Sequence, residues 1–144
     1  MTKQNPKTAI VTGGGQRIGR AISLALAKDG WQVAVHFNNS LDEANEVVDE
    51  ITSSGNVALA VKADLTNEVA VASLIASISN ELAPVTVVIN NASIFEEDTV
   101  KNATKTSWDR HLAVNLRAPF LLTQSLAKNI NKNEKGNIIN IVDQ

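Results

Sequence analysis

Cysteine and tyrosine are both absent from this 144-residue chain, and aromatic residues make up only 3% of it. Without cysteine there are no disulfides, no thiolate metal sites and no cysteine nucleophile, a usage that fits a reducing compartment. Without tyrosine the chain has no phenol to act as acid or base. Neither sign of charge is in excess: the formal net charge is −2 and no basic run exists, which argues against nucleic acid as a partner. No apolar run approaches the roughly 20 residues that span a bilayer, and the polar stretch Met1 to Pro6 lacks the apolar core of a signal peptide. A cytoplasmic protein without a membrane partner is expected. The 44% hydrophobic content suffices for one sizeable core.

What the chain does have is a glycine-rich turn between a β-branched run and a helical pattern, from Lys7 to Arg20, with the spacing Thr-Gly-x-x-x-Arg-x-Gly. Glycine permits so tight a turn and leaves room for a pyrophosphate, whose charge is met by N–H groups at the helix N-terminus. Gly13, Arg17, Ile18 and Gly19 are the candidate cofactor contacts here. Arg17 stands where a dinucleotide fold often has its second glycine. A cation in the first turn of a helix opposes the macrodipole by roughly 0.3–1 kcal/mol unless an anion lies nearby.

Short β-branched runs alternate with longer helical periods, the pattern of βαβ units and a parallel sheet. Strands are expected at Thr8 to Val11, Gln32 to Phe37, Val57 to Val61, Thr86 to Ile89 and Asn137 to Val142. Ile18, Ala21, Ile22, Ala25 and Leu26 form the apolar face of a first helix that Gly30 stops. A second helix starts at Ser40 with a capping box to Glu43, carries Leu41, Ala44, Val47, Val48 and Ile51, and closes at Gly55. Thr66 is expected to cap a third helix bearing Ala72, Ile75 and Ile78. Thr106, with Asp109 three residues on, opens the longest helix, whose apolar residues on more than one face point to self-association. No repeat, linker or low-complexity tract divides residues 1–144, so they read as a single domain or part of one.

Polar clusters follow each strand: Thr12 to Gly19, His36 to Ser40, Asp64 with Leu65, Asn90 to Phe95, and Asp143. In open parallel sheets that edge is where ligands bind. The second strand runs into His36-Phe37-Asn38-Asn39-Ser40 with no acid before Asp42, whereas an NAD site usually has a carboxylate there for the ribose 2′-hydroxyl. Donors from Arg17, Asn39 and Ser40 favour a 2′-phosphate, hence NADP(H). His36 also reads as a packed strand-end histidine, and Asp64 as a turn residue or a group near the adenine. Asn90, Asn91, Ala92 and Ser93 suit a loop tied to backbone groups of its neighbours. Pro119, four residues after Asn115, removes the N–H that the Asn115 carbonyl would otherwise meet.

The glycine loop, Ala63-Asp64-Leu65, Asn90-Asn91-Ala92 and Asn115 in a long helix together resemble the N-terminal half of the short-chain dehydrogenase/reductase family. Arg17, Ser93-Ile94-Phe95 and Ile141-Val142-Asp143 are most similar to the pteridine reductases within it. The resemblance implies a Rossmann-like doubly wound parallel sheet of order 3-2-1-4-5, ending after its fifth strand. It implies cofactor contacts from Gly13, Arg17, Ile18, Gly19, His36, Phe37, Asn38, Asn39, Ser40, Asp64, Leu65, Asn91, Ala92 and Ser93. It further implies a pterin stacked on Phe95 and contacted by Ser93 and Arg17, with Asp143 and Asn115 serving catalysis while NADPH delivers hydride. Asn39 stands where some pteridine reductases have an arginine. The family's Tyr-x-x-x-Lys pair falls about a dozen residues beyond the aspartate, past Gln144. An inactive fragment that joins its missing C-terminal half, or a homo-oligomer, is therefore expected. Reduction of a carbonyl or 3-oxoacyl thioester, and NADP binding without catalysis, are the alternatives.

Overall fold

β1 (Thr8–Val11) is buried along its whole length because it is the central strand of the sheet. The computed structural model describes residues 6–142, and Asp143 lies outside them. The sheet has five strands in the order β3-β2-β1-β4-β5, with β2 at Gln32–Phe37, β3 at Ala58–Lys62, β4 at Val85–Asn90 and β5 at Asn137–Asn140. Every pairing is parallel. Strand β3 thus starts one residue later than expected, β4 is longer at both ends, and β5 stops at Asn140. Past that end the Ile141 N–H still donates to the Asn90 carbonyl at 2.9 Å.

Alternation along the strands sends side chains to opposite faces, and helices cover both. Ile10 and Val88 meet Val71, Leu74, Ile75 and Ile78 of α3 (Glu68–Glu81) and Ala118, Leu122 and Leu126 of α5 (Ala118–Asn129). On the other face Ala9, Val11, Val33 and Val35 meet Ala27 of α1 (Arg17–Lys28) and Ala44, Val47 and Ile51 of α2 (Leu41–Ser53). Each such large aliphatic side chain contributes about 1.5–3 kcal/mol on full burial. Among the described residues no helix is long and apolar enough to cross a membrane.

The α1 face differs from expectation. Gly19, Ser23 and Ala27 are its buried residues, while Ile18, Ala21 and Ala25 are exposed. Ile22 and Leu26 of the expected face are half-buried and pack on this core, but small residues let the helix lie close to the sheet, so its fully buried line is one that apolar periodicity does not pick out. Ala72 of α3 is likewise exposed, and Val71 takes the inward position. Gly30 and Gly55 end α1 and α2 as expected, at φ +85° and +86°.

Three N-termini are also capped differently. Ser40 holds the N-cap position but makes no side-chain cap bond, and the Glu43 side chain accepts from Gln16 Nε2 at 2.8 Å instead of closing the box. Thr66 donates its hydroxyl to Asp64 at 2.7 Å, leaving Asn67 to cap α3 by accepting from Ala70 N–H at 3.1 Å. Thr104, not Thr106, caps α4 (Lys105–Leu112), in a reciprocal box with Ser107. The expected long helix is divided: a π-helical turn at Ala113–Arg117 separates α4 from α5, and Pro119 sits in the first turn of α5. Because α5 runs on from the π turn without a break, the missing N–H of Pro119 leaves the Asn115 carbonyl without its i+4 donor. Trp108, Leu112, Leu116 and Phe120 remain exposed along this segment.

Candidate active site

The loops after β1, β2, β3 and β4 emerge at the same edge of the sheet, as a parallel sheet requires, and their hydrogen bonds tie them into one rim. Thr12 Oγ1 accepts from Asn91 N–H and from Ala92 N–H, both at 2.9 Å. Asn91 Nδ2 returns two bonds, to the Thr12 carbonyl at 2.9 Å and the Gly13 carbonyl at 3.2 Å. The amide side chain of Asn91 therefore shapes the glycine loop, holding it against the turn after β4.

Glycines serve close packing as much as phosphate approach. A Cβ on Gly14 would lie 2.9 Å from Ser23 Oγ, and one on Gly15 would lie 2.9 Å from the Ala44 nitrogen. Gly13 has φ +61° and rests against Ala92. Arg17 opens α1 at φ +46°, the single described non-glycine residue with positive φ. Its place in the motif, where glycine is frequent in dinucleotide folds, matches that conformation. Gln16 supplies no side-chain cap to α1, so the first N–H groups of the helix face the cleft without a side-chain acceptor from it. Among the described residues no carboxylate pairs with Arg17.

His36 is buried and bonded through both ring nitrogens. Nδ1 accepts from Gly13 N–H at 3.2 Å, so Nε2 carries the proton and donates to the Ala63 carbonyl at 3.0 Å. The ring thereby joins the glycine loop to the end of β3. Burial pushes its pKa below the ordinary 6.5, with the Ala63 bond opposing in part. The unfolded chain thus takes up a proton as pH falls through about 6.5, while the fold resists it. Stability supplied by the neutral ring is full above that pH and declines below it. Thermal unfolding should show a midpoint that drops from pH 7.5 to pH 5.5, by an amount reduced in His36→Gln; an identical drop in both proteins would exclude His36 as the cause.

Asp64 Oδ1 accepts from Thr66 N–H at 2.9 Å as well as from its hydroxyl. The backbone bond first, then the hydroxyl, holds this carboxyl below its usual range, with the Arg110 charge adding to them. Asn115 Oδ1 accepts from Ile94 N–H and Asn115 Nδ2 donates to the Ile94 carbonyl, each at 2.9 Å. The Asn115 side chain thus secures both polar groups of one residue in the loop after β4.

A single cleft of about 1930 Å³ runs along this rim. It exceeds the roughly 300–1,000 Å³ of a site for one drug-sized ligand. The cleft brings together Gly13, Arg17, Ile18, His36, Phe37, Asn38, Asn39, Ser40, Asp64, Leu65, Asn91, Ala92, Ser93, Phe95 and Asn115. Gly19 does not line it and acts from behind the loop. Phe95 is 87% exposed and Ile18 58%, two apolar side chains left open at the cleft. Thr12 and Arg110 were not singled out by sequence pattern. Thr12 preceded the glycines as part of a motif only, and Arg110 lacked any local signal.

A doubly wound sheet with a glycine loop, an amide-tied turn after β4 and one cleft along the strand ends defines an α/β protein built to hold a dinucleotide. The chain belongs to the short-chain dehydrogenase family, whose model matches residues 7–143. It is 36% identical over 141 residues to an uncharacterized oxidoreductase of Methylorubrum extorquens, covering 98% of this chain and 56% of that protein. It is 33% identical over 135 residues to the 3-oxoacyl-(acyl-carrier-protein) reductase FabG of Staphylococcus epidermidis, covering 94% and 55%. Among solved structures it is similar to FolM alternative dihydrofolate reductase 1 from Brucella canis, complexed with NADP, at 39% identity and a TM-score of 0.90, covering 96% of this chain and 55% of that one. The chain spans about half the length of these relatives.

Proposed function

We propose that this chain is the N-terminal part of an NADPH-dependent short-chain reductase acting on pterins or dihydropterins. The observation that carries the reading is Phe95, an exposed aromatic ring on the same cleft as Ser93 and Arg17. A flat heteroaromatic substrate gains from an aromatic platform with polar groups at its rim.

The residues present fit NADPH. The N-terminus of α1 lacks a side-chain cap and faces the cleft, which suits a pyrophosphate. Asn38, Asn39 and Ser40 follow β2 without a carboxylate to repel a 2′-phosphate, and Arg17 lies on the same cleft. Phe37 and Leu65, with Asp64, border the part of the cleft assigned to the adenosine. Bound there, the cofactor supplies a hydride. Asn91 and Ala92 keep the glycine loop in the shape that receives it, through their bonds to Thr12. Asn115 holds the loop that bears Phe95 and Ser93. We assign Asp143 to proton delivery together with a residue beyond this chain, and the 144-residue chain alone is expected to be inactive.

A second reading, reduction of a 3-oxoacyl thioester, is favoured by the resemblance to FabG. Kinetics of the complete enzyme with a dihydropterin and an oxoacyl thioester separate the two. Phe95→Ala should raise KM for the dihydropterin about two- to tenfold, the loss of an aromatic contact of roughly 0.5–1.5 kcal/mol, while NADPH affinity is unchanged. Turnover of the thioester alone would replace the pterin assignment.

A further inference from the structure

Phe95 lies between two residues whose backbones are tethered to the helical segment opposite. Ile94 is held by Asn115, as described, and Glu96 is held twice. Its N–H donates to His111 Nε2 at 3.0 Å, and its carboxylate pairs with Arg110 at 2.6 Å. His111 Nδ1 in turn donates to the Ser107 carbonyl at 2.8 Å, one helical turn back, which fixes the ring's tautomer and orientation. Ile94 and Glu96 are half-buried and Phe95 between them is exposed, the alternation of an extended chain whose flanking residues are pinned.

We propose that His111 is a positioning residue for the Phe95 loop, one whose hold depends on its lone pair. The Nε2 atom accepts a backbone N–H only while the ring is neutral. An imidazolium offers two donors and no acceptor, so a second proton converts this contact into donor against donor. The Asn115 tether has no such dependence, because an amide does not titrate. Acidification therefore releases the Glu96 side of Phe95 and leaves the Ile94 side in place, turning the ring away from a geometry held at both ends. The charged groups about the contact come from three elements: Glu96 on the loop, Arg110 and the Lys105–Asp109 pair on α4, and Asp64 in the turn after β3, close enough to Arg110 to feel its charge. Glu96 and Arg110 neutralise each other, so the backbone bond at Nε2 is the contact a proton breaks.

The functional consequence rests on the reading of Phe95 as the substrate's platform, but the tether itself is measurable without substrate. Amide hydrogen exchange at Glu96 and Ile94 in the intact protein, corrected for intrinsic rates, gives an internal comparison within one loop. Between about pH 8 and about pH 5, Glu96 should lose about fivefold in protection relative to Ile94. His111→Phe should lack that protection at every pH. His111→Gln, whose side-chain oxygen also accepts, should keep it and show no pH dependence. In the complete enzyme, acid should raise the dihydropterin KM more in wild type than in His111→Gln. Glu96 tracking Ile94 at all pH values in wild type, or retaining its protection in His111→Phe, overturns the proposal. Should His111→Phe fail to fold, the wild-type profile and the glutamine variant still decide. If Phe95→Ala leaves the dihydropterin KM unchanged while Glu96 responds as stated, the tether stands and the platform reading falls.

Discussion

Gly19→Ala is expected to be the most damaging single-methyl addition in the chain, lowering stability by about 3 kcal/mol, at the upper end of overpacking costs. The new Cβ would lie 2.0 Å from the Gly13 carbonyl oxygen, 2.6 Å from Asn91 Nδ2 and 2.8 Å from the Gly13 carbonyl carbon. None of these is the free end of a flexible side chain. The Gly13 carbonyl belongs to the turn itself, and Asn91 Nδ2 is committed to the Thr12 and Gly13 carbonyls. Relief requires α1 to move from the sheet, opening the contacts of Ser23 and Ala27, or the glycine loop to change shape. Gly30→Ala is the matched control, since nothing lies within 4 Å of its added Cβ and only the backbone at φ +85° opposes it. That substitution should cost about 1 kcal/mol. Thermal and urea unfolding would show Gly19→Ala melting about 10 °C below wild type and Gly30→Ala only a few degrees below. Equal losses would mean that α1 rides freely on the loop.

The same crowding explains why the sheet was legible in the sequence and the helix faces less so. Strands β1, β2 and β4 are β-branched runs buried on both sides, so composition alone located them and the glycine stops at Gly30 and Gly55 bounded the helices between them. Helix α1 was read with its apolar side inward, but a helix that must pass close to a tight turn presents Gly19 and Ser23 to it. Ser23 Oγ donates to the Gly14 carbonyl at 3.1 Å, a polar contact that no hydrophobic periodicity records. The N-caps failed for a related reason. Ser40, Thr66 and Thr106 each carried suitable chemistry, but Gln16 took Glu43, Asp64 took Thr66, and Thr104 with Ser107 formed the better box two residues earlier.

For the site, local motifs located the loops and long-range bonds set what each residue does there. Asn91 was legible as a loop-tying amide because its neighbours are small and polar. Its partner Thr12 lies 79 residues away and was not. His36 stands where a cofactor contact was expected, and its side chain is spent on Gly13 and Ala63. His111 carried no sequence signal, since its partner Glu96 is held through a backbone N–H, a group every non-proline residue has. Side-chain to backbone contacts of this kind leave no residue-type signature at one end, and they account for most of what sequence pattern missed.

Arg17 joins stability to cofactor choice in a way that two substitutions can separate. At φ +46° its backbone is strained by about 1–2 kcal/mol relative to glycine, which occupies that region without a Cβ penalty. A cation at the start of α1 adds an unfavourable term against the helix dipole. Both are retained at a position where glycine would remove them, and the proposed 2′-phosphate of NADPH is the anion that offsets the second. Arg17→Gly should therefore raise the unfolding midpoint of the complete enzyme while weakening NADPH binding. Arg17→Ala keeps the Cβ strain and loses the charge, so its stability should rise less and its affinity fall equally. A hydrogen bond to a charged group is worth roughly 1.5–3 kcal/mol, which sets the loss at about ten- to hundredfold in NADPH affinity. NADH, without the 2′-phosphate, should bind wild type and both variants with similar affinity. Calorimetric titration of the two cofactors into the three proteins, alongside their melting curves, tests each part. If NADH affinity falls as far as NADPH affinity, Arg17 meets the pyrophosphate or the substrate rather than the 2′-phosphate. If Arg17→Gly melts no higher than Arg17→Ala, the positive φ is not stored strain and the residue's conformation has another origin.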